Sequence, residues 1–298
     1  MRWNGCFSTP FSLHAGVRQG GVLSPILFNL YVDELIGILE QQGLGCHVGC
    51  KFFGCIMYAD DILLLSANVG ILQIMLDECF KFSILNGIKF NASKCVCLKI
   101  GRNCNLSVSH MSIGPTTISW VKNLKYLGIS FIASSSLQFD CNPVKQKFYG
   151  AFNSLMRGCN TAAENVKVFL TKTFCLPLLT YSIGALKLSS AAINSVGVCW
   201  NDAFRKIFGC NRWESVSHVQ YCFGELSFAY IYDLYRWNFL HKCLSTSDSV
   251  SYLAAIVNSE RDELNKFAEL YGNDCSLPYL RKQAVMKHFQ NYCMMDRA

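Results

Sequence analysis

The stretch Phe52-Phe53-Gly54-Cys55-Ile56-Met57-Tyr58-Ala59-Asp60-Asp61-Ile62-Leu63-Leu64-Leu65-Ser66 decides how this chain folds. Two short apolar runs, Phe52–Tyr58 and Ile62–Ser66, are separated only by Ala59-Asp60-Asp61. Aromatic and branched side chains favour extended backbone, so the pattern predicts a β-hairpin with an acidic pair at its turn. Adjacent carboxylates repel, and burial makes the repulsion worse. A divalent cation removes the conflict, and Mg²⁺ in particular prefers carboxylate, phosphate and water oxygens. Such a pair on a rigid hairpin suits phosphoryl transfer assisted by two metal ions. A solvated Asp-containing turn explains the same four residues equally well, because short motifs match by chance.

Working outward, Ser24-Pro25 precedes Leu27, Leu30, Tyr31, Leu35, Ile38 and Leu39. This spacing predicts a helix with Ser24 as N-cap and Pro25 at its first position, ending near Gly43. Downstream, Leu72, Met75, Leu76, Cys79, Phe80 and Phe82 mark a second amphipathic helix stopped by Asn86-Gly87. Strands are predicted near Cys95–Ile100, Thr117–Val121 and Tyr126–Phe131. The order gives an α+β fold, an antiparallel sheet with helices on one face. Ser134 through Pro143 reads as a linker. Helices follow at roughly 144–158, 164–186, 190–208 and 226–244, then a less regular tail over 246–298 with room for one or two more helices.

Of the 298 residues, 51% are apolar and 16% charged, which predicts folded cores rather than disorder. The 17 cysteines lack the paired spacing of a secreted disulfide scaffold, so reduced thiols in a nuclear or cytoplasmic, intracellular setting are expected. No apolar run reaches the roughly 20 residues needed to cross a bilayer, and the N-terminus has no signal-peptide core. Cys46, His47, Cys50 and Cys55 lack a second paired half of a zinc site, and Cys95 with Cys97 reads as core packing. Residues 143–245 hold 11 Lys/Arg against 5 Asp/Glu, whereas residues 1–142 hold 10 against 8. Lys145, Lys147, Lys167, Lys172, Arg205, Lys206 and Arg212, with Trp200, Trp213 and Tyr221, fit either a nucleic-acid track or an ordinary solvated helix face.

Upstream of the acidic turn stands Gly16-Val17-Arg18-Gln19-Gly20-Gly21-Val22-Leu23-Ser24-Pro25-Ile26-Leu27-Phe28, a glycine-rich loop feeding a helix. Downstream stand Gly87-Ile88-Lys89-Phe90-Asn91-Ala92-Ser93-Lys94 and Leu124-Lys125-Tyr126-Leu127-Gly128-Ile129. Taken in this order with Tyr58-Ala59-Asp60-Asp61, these segments resemble motifs B, D, E and C of reverse transcriptases. The likeness is to the non-LTR retrotransposon (LINE-like) type, over about residues 13–132.

The resemblance implies RNA-directed DNA polymerase activity, with an RNA template, a DNA primer, dNTPs and Mg²⁺ or Mn²⁺. It implies a partial polymerase palm over 1–133, a linker over 134–143 and an all-helical thumb-like region over 144–245. Carried over residue by residue, Asp60 and Asp61 would hold metal, and Lys94 would donate a proton to pyrophosphate. Arg18, Gln19, Gly20 and Tyr58 would contact template or nucleotide. Tyr126, Leu127 and Gly128 would grip the primer.

The family's motif A aspartate and the fingers precede motif B and have no counterpart here. Asp33, Glu34 and Glu40 fall on the first helix and read as its solvated face. The expectation is therefore weak metal binding and little or no activity in this chain by itself. A non-catalytic nucleic-acid-binding remnant is the alternative.

Overall fold

The computed structural model describes residues 2–10, 20–245, 258–272 and 277–295. Two short hairpins and a helix open the chain: β1 (Arg2–Trp3) with β2 (Cys6–Phe7), α1 (Ser24–Gln41), then β3 (His47–Val48) with β4 (Lys51–Phe52). The acidic hairpin follows as β5 (Cys55–Tyr58) and β6 (Asp61–Leu64). After it come α2 (Val69–Leu85), β7 (Val96–Leu98), β8 (Met111–Ile113) and β9 (Thr116–Val121), with β9 lying between β7 and β8. A last sheet holds β10 (Asn123–Tyr126), β11 (Ile129–Ile132) and β12 (Gln138–Phe139).

Helices account for the remaining elements: α3 (Asn142–Gly158), α4 (Glu164–Leu170), a π-helical turn (Thr171–Cys175), α5 (Leu176–Thr180), α6 (Ser190–Phe208), α7 (Ser217–Cys222), α8 (Phe228–Ser245), α9 (Asn258–Tyr271) and α10 (Pro278–Met295). The chain is thus α+β followed by an all-helical region. Its strands form several small sheets rather than one continuous sheet. Two compact units emerge, residues 1–97 with 106–120, and residues 98–105 with 121–298.

In the first unit α2 is apolar on two sides. Met75, Cys79 and Phe82 pack with Leu35 and Leu39 of α1 and with Cys55 of β5, while Leu76 packs with Cys97, Met111, Ile113 and Ile118 of the three-stranded sheet. Gln73 fixes that sheet's edge, its amide donating to the Ser112 carbonyl at 2.9 Å and accepting from the Ser112 N–H at 3.0 Å. The helix starts at an Asn68 cap, whose Oδ1 accepts from Gly70 N–H at 2.7 Å and Ile71 N–H at 3.3 Å.

In the second unit one apolar cluster runs from Phe148 to Cys293 and includes Trp200, Phe204, Phe228 and Trp237. Arg236, 2% exposed, crosses this core. It donates to the Gly184 carbonyl and to the carboxylates of Glu260 and Glu263, so the buried charge is fully partnered.

Several local expectations are corrected. Leu23, not Ser24, occupies the N-cap of α1, and no side chain caps that end; Ser24 is already helical ahead of Pro25. The strand expected over Tyr126–Phe131 is broken at Leu127 and Gly128, where the chain reverses. Within the 134–143 stretch, Gln138–Phe139 is a strand paired with β11, and α3 begins at Asn142.

The helix expected over 164–186 ends at Thr180 and contains the π turn. Pro177 explains the π turn. It has no N–H, and its ring would crowd the carbonyl of Thr173 four residues back in a regular helix, so the backbone widens just before it. Leu176 N–H bonds to the Thr171 carbonyl across the widened turn.

Candidate active site

In the acidic hairpin Tyr58 pairs with Asp61, Met57 with Ile62, Ile56 with Leu63 and Cys55 with Leu64. Ala59 and Asp60 are therefore a two-residue loop, and Asp61 is the first residue of the returning strand. Alternation puts Cys55, Met57, Ile62 and Leu64 on the core face, where they join the cluster with Leu35 and Phe82. Tyr58 and Asp61 stand opposite each other on the other face, with Tyr58 65% exposed. The sequence builds this presentation because the core face carries two apolar pairs, all buried or half-buried, whereas the other face ends in the exposed Tyr58 and Asp61.

The loop itself is strained. Ala59 has a φ of 53°, left-handed backbone that costs an L residue about 1–2 kcal/mol. A two-residue hairpin usually places glycine or asparagine there. Strain of this kind persists only where surrounding structure enforces it, and functional turns are its commonest location.

Asp60 and Asp61 offer the hard oxygens that Mg²⁺ or Mn²⁺ takes. They are neighbours on one turn, and among the described residues no group of three or more His, Cys, Asp or Glu side chains converges. Two-metal catalysis needs ligands from separate elements. The described residues alone therefore do not fit a two-metal centre.

Lys94 sits exposed in the turn before β7, its N–H bonded to the Asn91 carbonyl, with no hydrogen bond or ion pair to either aspartate. Arg18 and Gln19 lie outside the described residues. Gly20 is exposed with a φ of 80°, and the space where a β-carbon would stand is open.

Tyr126, Leu127 and Gly128 come together as the end of the β10–β11 hairpin, in which Tyr126 pairs with Ile129 and Leu127-Gly128 form the loop. Both loop residues have positive φ, 45° and 82°, as a type I′ turn requires. Leucine at the first of these positions is strained for the same reason as Ala59.

One residue that the sequence did not single out touches this loop. Tyr181, directly after α5, donates its hydroxyl to the Leu127 carbonyl at 3.0 Å. Its ring lies so close to Gly128 that a β-carbon there would sit 2.9 Å from Tyr181 Cε1. Nothing local in the sequence announces a contact across 54 positions.

Several of the basic residues nominated from sequence have local partners. Lys145 donates to Ser195, Lys172 pairs with Glu225, Arg205 with Asp202, and Lys206 donates to Asn153. Lys147, Arg157, Lys187 and Arg212 are exposed. The buried cysteines behave as core residues, since burial pushes the Cys55 thiol up to about 11 and the Cys79 thiol up to about 12.

Residues 2–131 match the family model described as reverse transcriptase (RNA-dependent DNA polymerase). This segment belongs to the reverse transcriptase family, on its non-LTR retrotransposon side. The relatives specify that side. The chain is 35% identical over 153 residues to the Retrovirus-related Pol polyprotein from type-2 retrotransposable element R2DM of Drosophila melanogaster, covering 49% of this chain and 14% of that one. It is 28% identical over 208 residues to the Pol polyprotein from type-1 retrotransposable element R2 of Popillia japonica, covering 66% and 33%. It is 25% identical over 216 residues to the RNA-directed DNA polymerase from mobile element jockey of Drosophila funebris, covering 69% and 23%. The matches thus span a third or less of these three relatives.

Proposed function

We propose that this chain supplies the acidic turn, the primer-gripping hairpin and the helical thumb of a non-LTR retrotransposon reverse transcriptase. In this reading residues 1–133 belong to the palm, 134–143 join it to the next part, 144–245 form the thumb and 246–298 continue as its tail. The observation that carries the reading is the hairpin tip at Tyr58–Asp61, which presents two adjacent carboxylates and an exposed tyrosine inside the segment matching the family.

The reaction is RNA-templated DNA synthesis. The primer 3′-hydroxyl attacks the α-phosphorus of a dNTP, a new phosphodiester bond forms, and pyrophosphate leaves. Mg²⁺ or Mn²⁺ would supply the charge that this step requires. Asp60 and Asp61 would offer it carboxylate oxygens, and Tyr58 would stand beside the primer end. Lys94 would hand a proton to the leaving pyrophosphate, and Arg18, Gln19 and Gly20 would border template and nucleotide. Tyr126, Leu127 and Gly128 would hold the primer backbone.

Two carboxylates from one turn leave the ion pair short of ligands, so this reading requires a further carboxylate from outside the described residues. It expects weak metal binding and negligible synthesis by the 298-residue chain. A second reading, nucleic-acid binding without chemistry, draws on the excess of Lys/Arg over residues 143–245 and the exposed Lys147, Arg157, Lys187 and Arg212.

Primer extension on a homopolymer RNA template, with Mg²⁺ or Mn²⁺, separates these readings. The expected result is no extension by the chain alone, and extension once a segment bearing the further carboxylate is fused ahead of residue 1. That extension should disappear with Asp60→Ala. Extension by the unfused chain that Asp60→Ala abolishes would refute the need for another carboxylate. Salt-dependent binding with no extension in any form would leave the binding reading standing.

A further inference from the structure

We propose that Tyr181 is a positioning residue for the primer, acting through the Leu127–Gly128 loop. The proposal rests on the reading of that loop as a primer contact. Three observations converge on it. The Tyr181 hydroxyl donates to the Leu127 carbonyl at 3.0 Å, which pins the one non-glycine residue of the loop that has left-handed backbone. The Tyr181 ring occupies the space beside Gly128, so the loop has no room for a side chain there even apart from its φ of 82°.

The chain is also bent to deliver that ring. Helix α5 ends at Thr180, Tyr181 turns away from helical geometry with a ψ of 121°, and Ser182 takes a φ of 60°. Yet Tyr181 is itself 60% exposed, so burial of the ring does not explain the arrangement. Strained backbone on both sides of one hydrogen bond, outside the core, is what a loop held in a fixed pose for a ligand looks like.

A two-residue loop with leucine in a left-handed conformation would otherwise sample other turns. Holding it reduces the ordering cost when a primer end docks, and it fixes which backbone groups the primer meets. The effect should therefore appear in discrimination between primer ends more than in stability.

The test uses the whole chain and two probes of equal length, a DNA primer on an RNA template with a recessed 3′ end and the matching blunt hybrid. Binding is read by fluorescence anisotropy, and exchange of the Gly128 and Ile129 amides by hydrogen–deuterium exchange. In Tyr181→Phe, which keeps the ring and removes the hydroxyl, both amides should exchange faster. The preference for the recessed end should fall roughly 3- to 10-fold, the size of one hydrogen bond. Blunt-hybrid affinity and the melting temperature should stay near those of the parent.

Unchanged exchange in Tyr181→Phe would show that the tyrosine does not hold the loop and would overturn the proposal. Faster exchange with the end preference intact, or with both affinities and the melting temperature falling together, would reduce Tyr181 to a structural contact and overturn it too. A parent chain that binds both probes equally would instead refute the primer-contact reading beneath it.

Discussion

At the scale of single residues, the two hairpin loops proposed as the acidic turn and the primer contact share one property. Each carries an ordinary L residue where left-handed backbone favours glycine: Ala59 in the acidic loop and Leu127 in the β10–β11 loop. Ala59→Gly removes about 1–2 kcal/mol of backbone conflict and adds about 0.5–1 kcal/mol of chain entropy to the unfolded state, for a net stabilisation of roughly 0.5–1 kcal/mol. Urea unfolding should show a higher midpoint with an unchanged slope, and a lower midpoint would remove the case for strain. The carboxylates themselves were legible in sequence, because two apolar runs left only Ala59-Asp60-Asp61 between them. The strain was not legible, since propensity puts neither alanine nor leucine at such positions. Tyr181 was invisible for a different reason, as its partner lies 54 positions away.

At the scale of elements, helices with apolar spacing were read close to their observed bounds, as with α1, α2, α3 and α6. Strands of two residues, such as β3, β4 and β12, are too short for alternation to register. The π turn lies just ahead of Pro177, and the stop at Thr180 has no proline or glycine directly after it to mark it. Contacts between helices also set titration behaviour. Asp233 on α8 accepts a hydrogen bond from the Tyr271 hydroxyl on α9 at 2.6 Å. Burial nonetheless pushes its carboxyl above the ordinary 3.8, outweighing the lowering by Tyr271. The folded state then keeps a proton that the unfolded chain has released, so this group's contribution is full below the unfolded value and is lost as pH rises through the raised one. Asp233→Asn, which keeps an acceptor for Tyr271, should melt higher than the parent near pH 7, with the gain vanishing below about pH 3.8. An equal gain at both ends would show that desolvation of the charge is not the cause.

At the scale of the whole molecule, the α+β and all-helical halves were legible from the change of periodicity along the chain. A single sheet was not what resulted, because the expected strands pair locally and α2 packs against two separate groups of them. No helix among the described residues is long and apolar enough to cross a membrane. The apolar clusters are unequal: one extends through α3 to α10, whereas those around α2 are small. Opening free energy follows local buried contact, so amides of α1, β5 and β6 should exchange before those of α6 and α8 in native-state hydrogen exchange. Simultaneous exchange of both sets would mean that the halves open as one cooperative body.

The π turn at Thr171–Cys175 makes the length of this segment matter as well as its chemistry. Each α-helical residue advances the chain by about 100°. Loss of a single codon within Thr171–Cys175 would preserve the reading frame, yet move Pro177 and all that follows back by one position along the helix. Everything beyond it, Tyr181 included, would then rotate by about that angle relative to α4. Descendants of this gene would thus be expected to exchange amino acids here more freely than to gain or lose one.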